Sequence, residues 1–235
     1  MNSSRRPVVA AVLAAGVGHR FGAGRPKQLL PLGDRTMLEW SVSAFVNSPD
    51  VDEVLVVVAA GLVGEVRGLL SRAGMAEVAV IEGGVLRTDS TRTAIEALGA
   101  RDCDVLFHDG ARPLVDARTI ADCVAALQVG EAVTAAVPVT DTIAEVGPDG
   151  RVLAIPDRDG LRAVQTPQGF RLSTIRRAFE LMAADPAAAG GASDDCRVVL
   201  TYLPDVTVTL VTGSPRNLKI THPSDLELAE RLLQG

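Results

Sequence analysis

The sequence predicts an α/β protein, a Rossmann-like doubly wound and mostly parallel sheet with an inserted β-hairpin arm. Two observations predict it: short apolar, β-branched runs recur along the chain, and segments of helical periodicity separate them. A third places the arm, because the alternation breaks after Pro138, where two extended stretches flank Gly147, Pro148, Asp149 and Gly150.

The first run, residues 8–13, is apolar at every position, as expected of a strand covered on both faces. Similar runs follow at 54–58, 78–81, 105–107 and 133–137. Thr36 followed three residues later by Glu39 is a capping box, and Leu38, Val42, Phe45 and Val46 continue it at helical spacing. Residues 62–73, 90–98 and 119–127 also read as helices. TDTIAEV and RVLAIP form the hairpin, an arm at about 139–160. A two-stranded ribbon is marginal alone in water, so it is expected to pack against something, a second subunit included. The stretch 185–193 is a loop rich in small residues, residues 206–211 alternate as a strand, and Ser224, Asp225, Leu226 and Glu227 cap a last helix. No repeat and no linker divides the chain, so residues 1–235 are read as one domain.

Composition narrows the function. The 235 residues are 47% hydrophobic and 22% charged, which excludes disordered and fibrous classes and allows a sizeable core. With 23 basic and 29 acidic residues the net charge is −6, so no global positive field attracts nucleic acid or an anionic membrane. Any phosphate must be caught locally. Cys103, Cys123 and Cys196 have neither disulfide nor metal-ligand spacing and read as small buried hydrophobes of a reducing compartment. The apolar start is far shorter than the ~20 residues of a spanning helix. It runs into a Gly-rich loop without a cleavage site, and the expectation is a cytoplasmic protein. Among the basic residues only Lys27 and Lys219 are lysine.

Chemistry concentrates where strands end. LAAGVGHRFGAGRPKQLLPLG (13–33) follows the first strand: Ala14, Ala15, Gly16 and Gly18 leave the backbone open to a ligand, and Arg20 and Lys27 bring two cations to the same loop. Phe21 stands where a dinucleotide fingerprint needs its third glycine, and no Walker sequence occurs. The choice is between a phosphate-binding loop and a plain turn, and the fixed order of cations favours phosphate. Asp109, Gly110 and Arg112 lie at the end of another strand, where α/β folds place ligands. Asp109 suits a hydroxyl or a phosphate-held Mg²⁺, or else a turn cap paired with Arg112. His108 reads as a structural histidine. Ser90 is a candidate ligand residue or a helix N-cap. Lys219, an isolated lysine, is ordinarily just solvated.

The 13–33 loop resembles the signature of nucleotidyltransferases. Together with GGVLRTDS (83–90), FHDGARP (107–113), VQTPQGF (164–170) and NLKIT (217–221), it is similar to the 2-C-methyl-D-erythritol 4-phosphate cytidylyltransferase family of the non-mevalonate isoprenoid pathway. The resemblance runs from Val8 to Leu233. It implies CTP and a polyol phosphate as substrates, Mg²⁺ held mainly by the CTP phosphates, and a homodimer formed through the arm. It also implies that Arg20 and Lys27 stabilise the transition state, that Gly84, Val85 and Ser90 read the base, and that Lys219 with Thr142, Arg158 and Thr166 serves the substrate phosphate. Arg158 would act in the partner's site; without the resemblance it is a solvated arginine. Departures are Leu13 where many members have Pro, Gly110 where Ala is common, and Ser193 in place of Thr. Ribitol 5-phosphate as the acceptor, or a non-catalytic nucleotide-binding regulator, are the alternatives.

Overall fold

The computed structural model describes residues 5–16, 26–188 and 194–234. Gly18, Arg20 and Ser193 of the sequence reading lie outside them.

Seven strands form one sheet: β1 (Val8–Ala14), β4 (Glu53–Val58), β5 (Ala79–Glu82), β6 (Asp104–Asp109), β7 (Ala132–Pro138), β10 (Arg162–Arg171) and β11 (Val208–Thr212). Their order is β11-β7-β10-β6-β1-β4-β5. All neighbours run parallel except β10, which is antiparallel to both β6 and β7. Outside this sheet, β2 (Pro31–Leu32) pairs with β3 (Arg35–Thr36), and β8 (Glu145–Val146) with β9 (Val152–Ala154).

β1 is buried along its whole length, and its two faces feed two cores. Val8, Ala10 and Val12 pack with Leu38, Val42 and Phe45 of α1 (Met37–Val46), Val66 and Leu70 of α2 (Val63–Arg72), and Ile120, Val124 and Leu127 of α4 (Ala117–Val129). Val9, Ala11 and Leu13 pack with Ala94 and Ile95 of α3 (Arg87–Ala97), Ile175 and Phe179 of α5 (Leu172–Ala184), and Val198 and Val199 of α6 (Asp195–Tyr202). Successive side chains of a strand point to opposite faces, so an unbroken apolar run means helices on both sides. The capping box of α1 forms: Thr36 N–H donates to Glu39 at 2.7 Å, and Glu39 N–H to the Thr36 hydroxyl at 3.2 Å.

Several boundaries differ from the sequence reading. α3 begins at Arg87, so Ser90 lies inside the first turn and is not its N-cap. The last helix, α7 (Pro223–Gln234), starts two residues before the position a Ser224 cap implies; the Asp225 carboxylate reaches back to accept from Thr221 and His222 N–H at 2.7 Å each. β10, α5 and α6 were not anticipated. Gly and Pro in VQTPQGF argue against a central strand. Here the register shifts between Val164 and Gln168, so Pro167 sits at the irregularity, and Gly169 is closed in, since a Cβ there would lie 2.8 Å from Leu106, Leu127 and Val133 side chains.

The hairpin arm forms around 147–150 with Gly150 at φ 79°, but its strands are short. Val146, Val152, Leu153 and Ile155 on it are 57–69% exposed. The three cysteines are buried and free, and burial pushes the Cys123 thiol up to about 12. Among the described residues no helix is long and apolar enough to cross a membrane.

Candidate active site

The chain turns from β1 to β4 on one side, and later returns to place β6 on the other, so the C-terminal ends of β1 and β6 face a topological switch point. Register brings Leu13 beside Asp109. Above these ends lies a cleft of about 290 Å³ lined by Ala15, Gly16, Lys27, Gly84, Val85, Arg87, Ser90, Asp109 and Lys219, among others. The only two lysines of the chain therefore line one cleft.

Their convergence has a local cause. Lys27 starts a single helical turn after Pro26, and its Nζ donates to the Ile220 carbonyl at 2.6 Å. Ile220 N–H in turn donates to the Ala111 carbonyl at 2.8 Å, which lays the segment carrying Lys219 along the end of β6. The buried Asn217 amide clamps that segment from below, donating to the Thr166 carbonyl at 2.8 Å. Lys219 Nζ then reaches Asp109 Oδ2 at 2.7 Å.

Asp109 is the ionic centre. Arg87 Nε lies 3.2 Å from Oδ1, and Arg112 Nε 4.0 Å from Oδ2. Burial opposes its charge, but Arg87, Lys219 and Arg112 outweigh burial and hold the carboxyl well below the usual range, so it is ionised. Arg87 also bridges to Asp195, Nη1 to Oδ2 at 2.7 Å. Burial works against the guanidinium charge as well, and the two carboxylates more than restore it, raising its pKa.

His108 has no part in the cleft. It is fully buried, with Nε2 3.0 Å from the Arg112 carbonyl and Nδ1 3.0 Å from the Thr166 hydroxyl. A carbonyl only accepts, so Nε2 carries the proton; Thr166 Oγ1 accepts from Asp109 N–H at 3.0 Å and donates to Nδ1. The ring is thus held neutral, and burial lowers its pKa to about 4.

Of the expected site residues, the structure brings Ala15, Gly16, Lys27, Gly84, Val85, Ser90, Asp109 and Lys219 to the cleft wall. Ala14 is buried just beneath it. Gly110 and Arg112 are not on the wall: Gly110 N–H bonds the Leu13 carbonyl, and Arg112 is a brace, donating to the Asn217 carbonyl at 2.7 Å. Of the two readings for this residue, the structural one describes its contacts. The Thr166 hydroxyl, expected at the substrate phosphate, is buried and engaged by Asp109 and His108. Thr142 and Arg158 sit exposed on the arm and do not line the cleft, with Arg158 donating to the Thr140 carbonyl at 3.1 Å.

Sequence reasoning missed Arg87 and Asp195. Arg87 had a signal, being the one cation of GGVLRTDS; Asp195 had none, because only folding reveals that it is buried. The glycines of this segment are explained by space: a Cβ on Gly83 would lie 2.6 Å from Val57 and 2.7 Å from the Ser90 hydroxyl.

Residues 8–235 match the family described as 2-C-methyl-D-erythritol 4-phosphate cytidylyltransferase (IspD). A protein of that name from Thermobifida fusca is 48% identical over 98% of this chain and 95% of its own length. A bifunctional ribulose 5-phosphate reductase/CDP-ribitol pyrophosphorylase of Haemophilus influenzae is 35% identical, with this chain spanning 49% of it. The 2-C-methyl-D-erythritol 4-phosphate cytidylyltransferase structure from Thermus thermophilus superposes with a TM-score of 0.76 at 33% identity, covering 99% of this chain and all of that one. The cleft at the switch point and this full-length match agree, and the chain belongs to the 2-C-methyl-D-erythritol 4-phosphate cytidylyltransferase family.

Proposed function

We propose that this chain transfers a cytidylyl group from CTP to 2-C-methyl-D-erythritol 4-phosphate, releasing pyrophosphate and forming 4-diphosphocytidyl-2-C-methyl-D-erythritol. The observation that carries the site assignment is the convergence of Lys27, Lys219, Arg87 and Asp109 on one cleft that Gly84, Val85 and Ser90 also line.

The acceptor phosphate is a nucleophile at neutral pH and attacks the α-phosphorus in line, so no general base is required. His108, with both ring nitrogens engaged, is not asked to be one. Catalysis is then positioning and charge neutralisation. Lys27, with Arg20 from the same loop, stabilises the charge of the α-phosphoryl group and the departing pyrophosphate. Lys219 exchanges Asp109 for the incoming phosphate. Backbone groups at Ala15, Gly16, Gly84 and Val85 and the Ser90 hydroxyl hold the nucleotide.

Asp109 is the sole carboxylate on the cleft wall among the described residues, and it is ionised. One carboxylate suits a divalent ion that keeps most of its coordination for substrate oxygens, and Asp109 would hold Mg²⁺ on that basis. When bound, the ion lowers charge repulsion within the triphosphate.

The arm supports a homodimer: its apolar residues are exposed in a single chain, and pairing would cover them while carrying Arg158 and Thr142 toward the neighbour's site. The three free buried thiols support a cytoplasmic setting.

Ribitol 5-phosphate is the second acceptor to test, given the 35% identity to the bifunctional pyrophosphorylase. Pyrophosphate release is measured with Mg²⁺, CTP and each phosphate in parallel. Turnover with methylerythritol phosphate is expected; turnover only with ribitol phosphate moves the chain to the sister activity, and CTP binding without product with either leaves a nucleotide-binding regulator.

A further inference from the structure

Four charged side chains alternate in sign from the cleft into the interior. Lys219 meets Asp109 at 2.7 Å, Asp109 meets Arg87 at 3.2 Å, and Arg87 meets Asp195 at 2.7 Å. The last lies behind Arg87, off the cleft wall, and has no solvent exposure at all. A buried ion pair is a weak source of stability, since desolvating both partners offsets most of their attraction. Its presence needs another reason.

The surroundings of Asp195 supply one. It is the first residue of α6, and that helix start is anchored independently of Arg87. Gln168 of β10 donates to Asp194 Oδ2 at 2.5 Å and accepts from Cys196 N–H at 3.3 Å, tying both neighbours of Asp195 to the sheet. The Thr91 hydroxyl holds Asp195 Oδ1 at 3.0 Å, leaving Oδ2 for the guanidinium. Asp195 thus offers a fixed point of attachment, while Arg87 has a long side chain with one nitrogen in reach of Asp109. The Arg87 Nη1–Asp195 Oδ2 contact is an ion pair without hydrogen-bond alignment, and it holds one end of the planar guanidinium while Nε donates to Asp109 at the other.

We infer that Asp195 is a positioning residue for the cleft, fixing the Arg87 guanidinium so that Arg87 holds the Asp109 carboxylate in place when Lys219 leaves it for the incoming phosphate. The inference deepens the proposed function and rests on that cleft being the reacting site. It gives α6, which contributes nothing to the cleft wall, a part in the chemistry. Without the Asp195 charge, Arg87 is released to collapse onto Asp109, and Asp109 loses its set orientation.

The test is a double-mutant cycle of Asp195→Asn and Arg87→Lys, with kcat and KM for CTP and calorimetric CTP affinity read on all four proteins. Asp195→Asn keeps the shape and removes the charge; in the wild-type background it should lower kcat/KM by about ten- to a hundredfold. Lysine cannot bridge two carboxylates as a fork, so adding Asp195→Asn to Arg87→Lys should cost less than about twofold more. Equal losses in both backgrounds, or a loss below about twofold in the wild type, would overturn the inference and leave Asp195 as a support of α6. If Asp195→Asn does not fold, Thr91→Val goes through the same cycle, with an expected loss of about threefold that vanishes beside Arg87→Lys. A lowered melting temperature with unchanged kcat/KM for that variant overturns the inference equally. Should the wild type bind CTP and release no pyrophosphate with either acceptor, the proposed function fails, while the affinity cycle still decides the role of Asp195.

Discussion

Lys219 and Asp109 form a 2.7 Å ion pair on the wall of the cleft, joining the segment before the last helix to the end of β6. The carboxylate therefore occupies, before substrate arrives, the place next to Lys219 that an anionic substrate needs. Removing the lysine should weaken the acceptor phosphate more than the nucleotide. Lys219→Ala is expected to raise KM for the polyol phosphate about ten- to a hundredfold with a smaller change in CTP affinity. Initial-rate kinetics in both substrates check this, and equal effects on the two would contradict it.

Lys27 offers a different signature. A cation that meets charge developing at the α-phosphorus acts mainly in the transition state. Lys27→Ala should lower the single-turnover rate by about 10²–10³-fold and CTP affinity by far less. Rapid-quench measurement at saturating CTP would show it; an unchanged chemical rate removes Lys27 from that role.

His108 ties stability to pH. Its folded pKa of about 4 lies below the usual 6.5, so the folded protein disfavours the protonated ring. Stability from this group is complete above pH 6.5 and is lost as pH falls towards 4, on the order of 2 kcal/mol by pH 5. Urea melts at pH 7 and 5 should register that loss, with a shallower pH slope in His108→Gln. Parallel slopes for the two proteins would assign the acid sensitivity to other groups.

The arm can be examined by complementation. If Arg158 serves the neighbour's cleft, Arg158→Ala and Lys27→Ala chains, each nearly inactive alone, should regain activity when mixed, because one site in the heterodimer holds both residues. Leu153→Asp, which charges the exposed apolar arm, should shift the chain towards monomer in sedimentation velocity. Confirmed heterodimers without recovered activity would count against a shared site.

How far the sequence could be read depended on the range of the interactions involved. The run 8–13 announced a strand buried on both faces because every residue in it is apolar, and Thr36 with Glu39 announced a helix start because a capping box spans only four residues. The two lysines stood out by rarity, and both line the cleft. Such signals are local: period, cap chemistry and the ends of strands determined the fold class and most of the cleft.

The tertiary structure decided the rest. β10 runs antiparallel between β6 and β7 despite a proline and a glycine that argue against a strand, because a register shift and the close packing of Leu106, Leu127 and Val133 accommodate them. Arg112 proved a brace and Thr166 a buried hydrogen-bond relay, since their partners Asn217, His108 and Asp109 arrive from other segments. The pairing of Arg87 with Asp195 had no trace in the sequence. A charged side chain reads as a solvated one until folding takes away its water, and for Asp195 the packing of α6 against α5 and the sheet, with Arg87 and Thr91 of α3 reaching its carboxylate, does that.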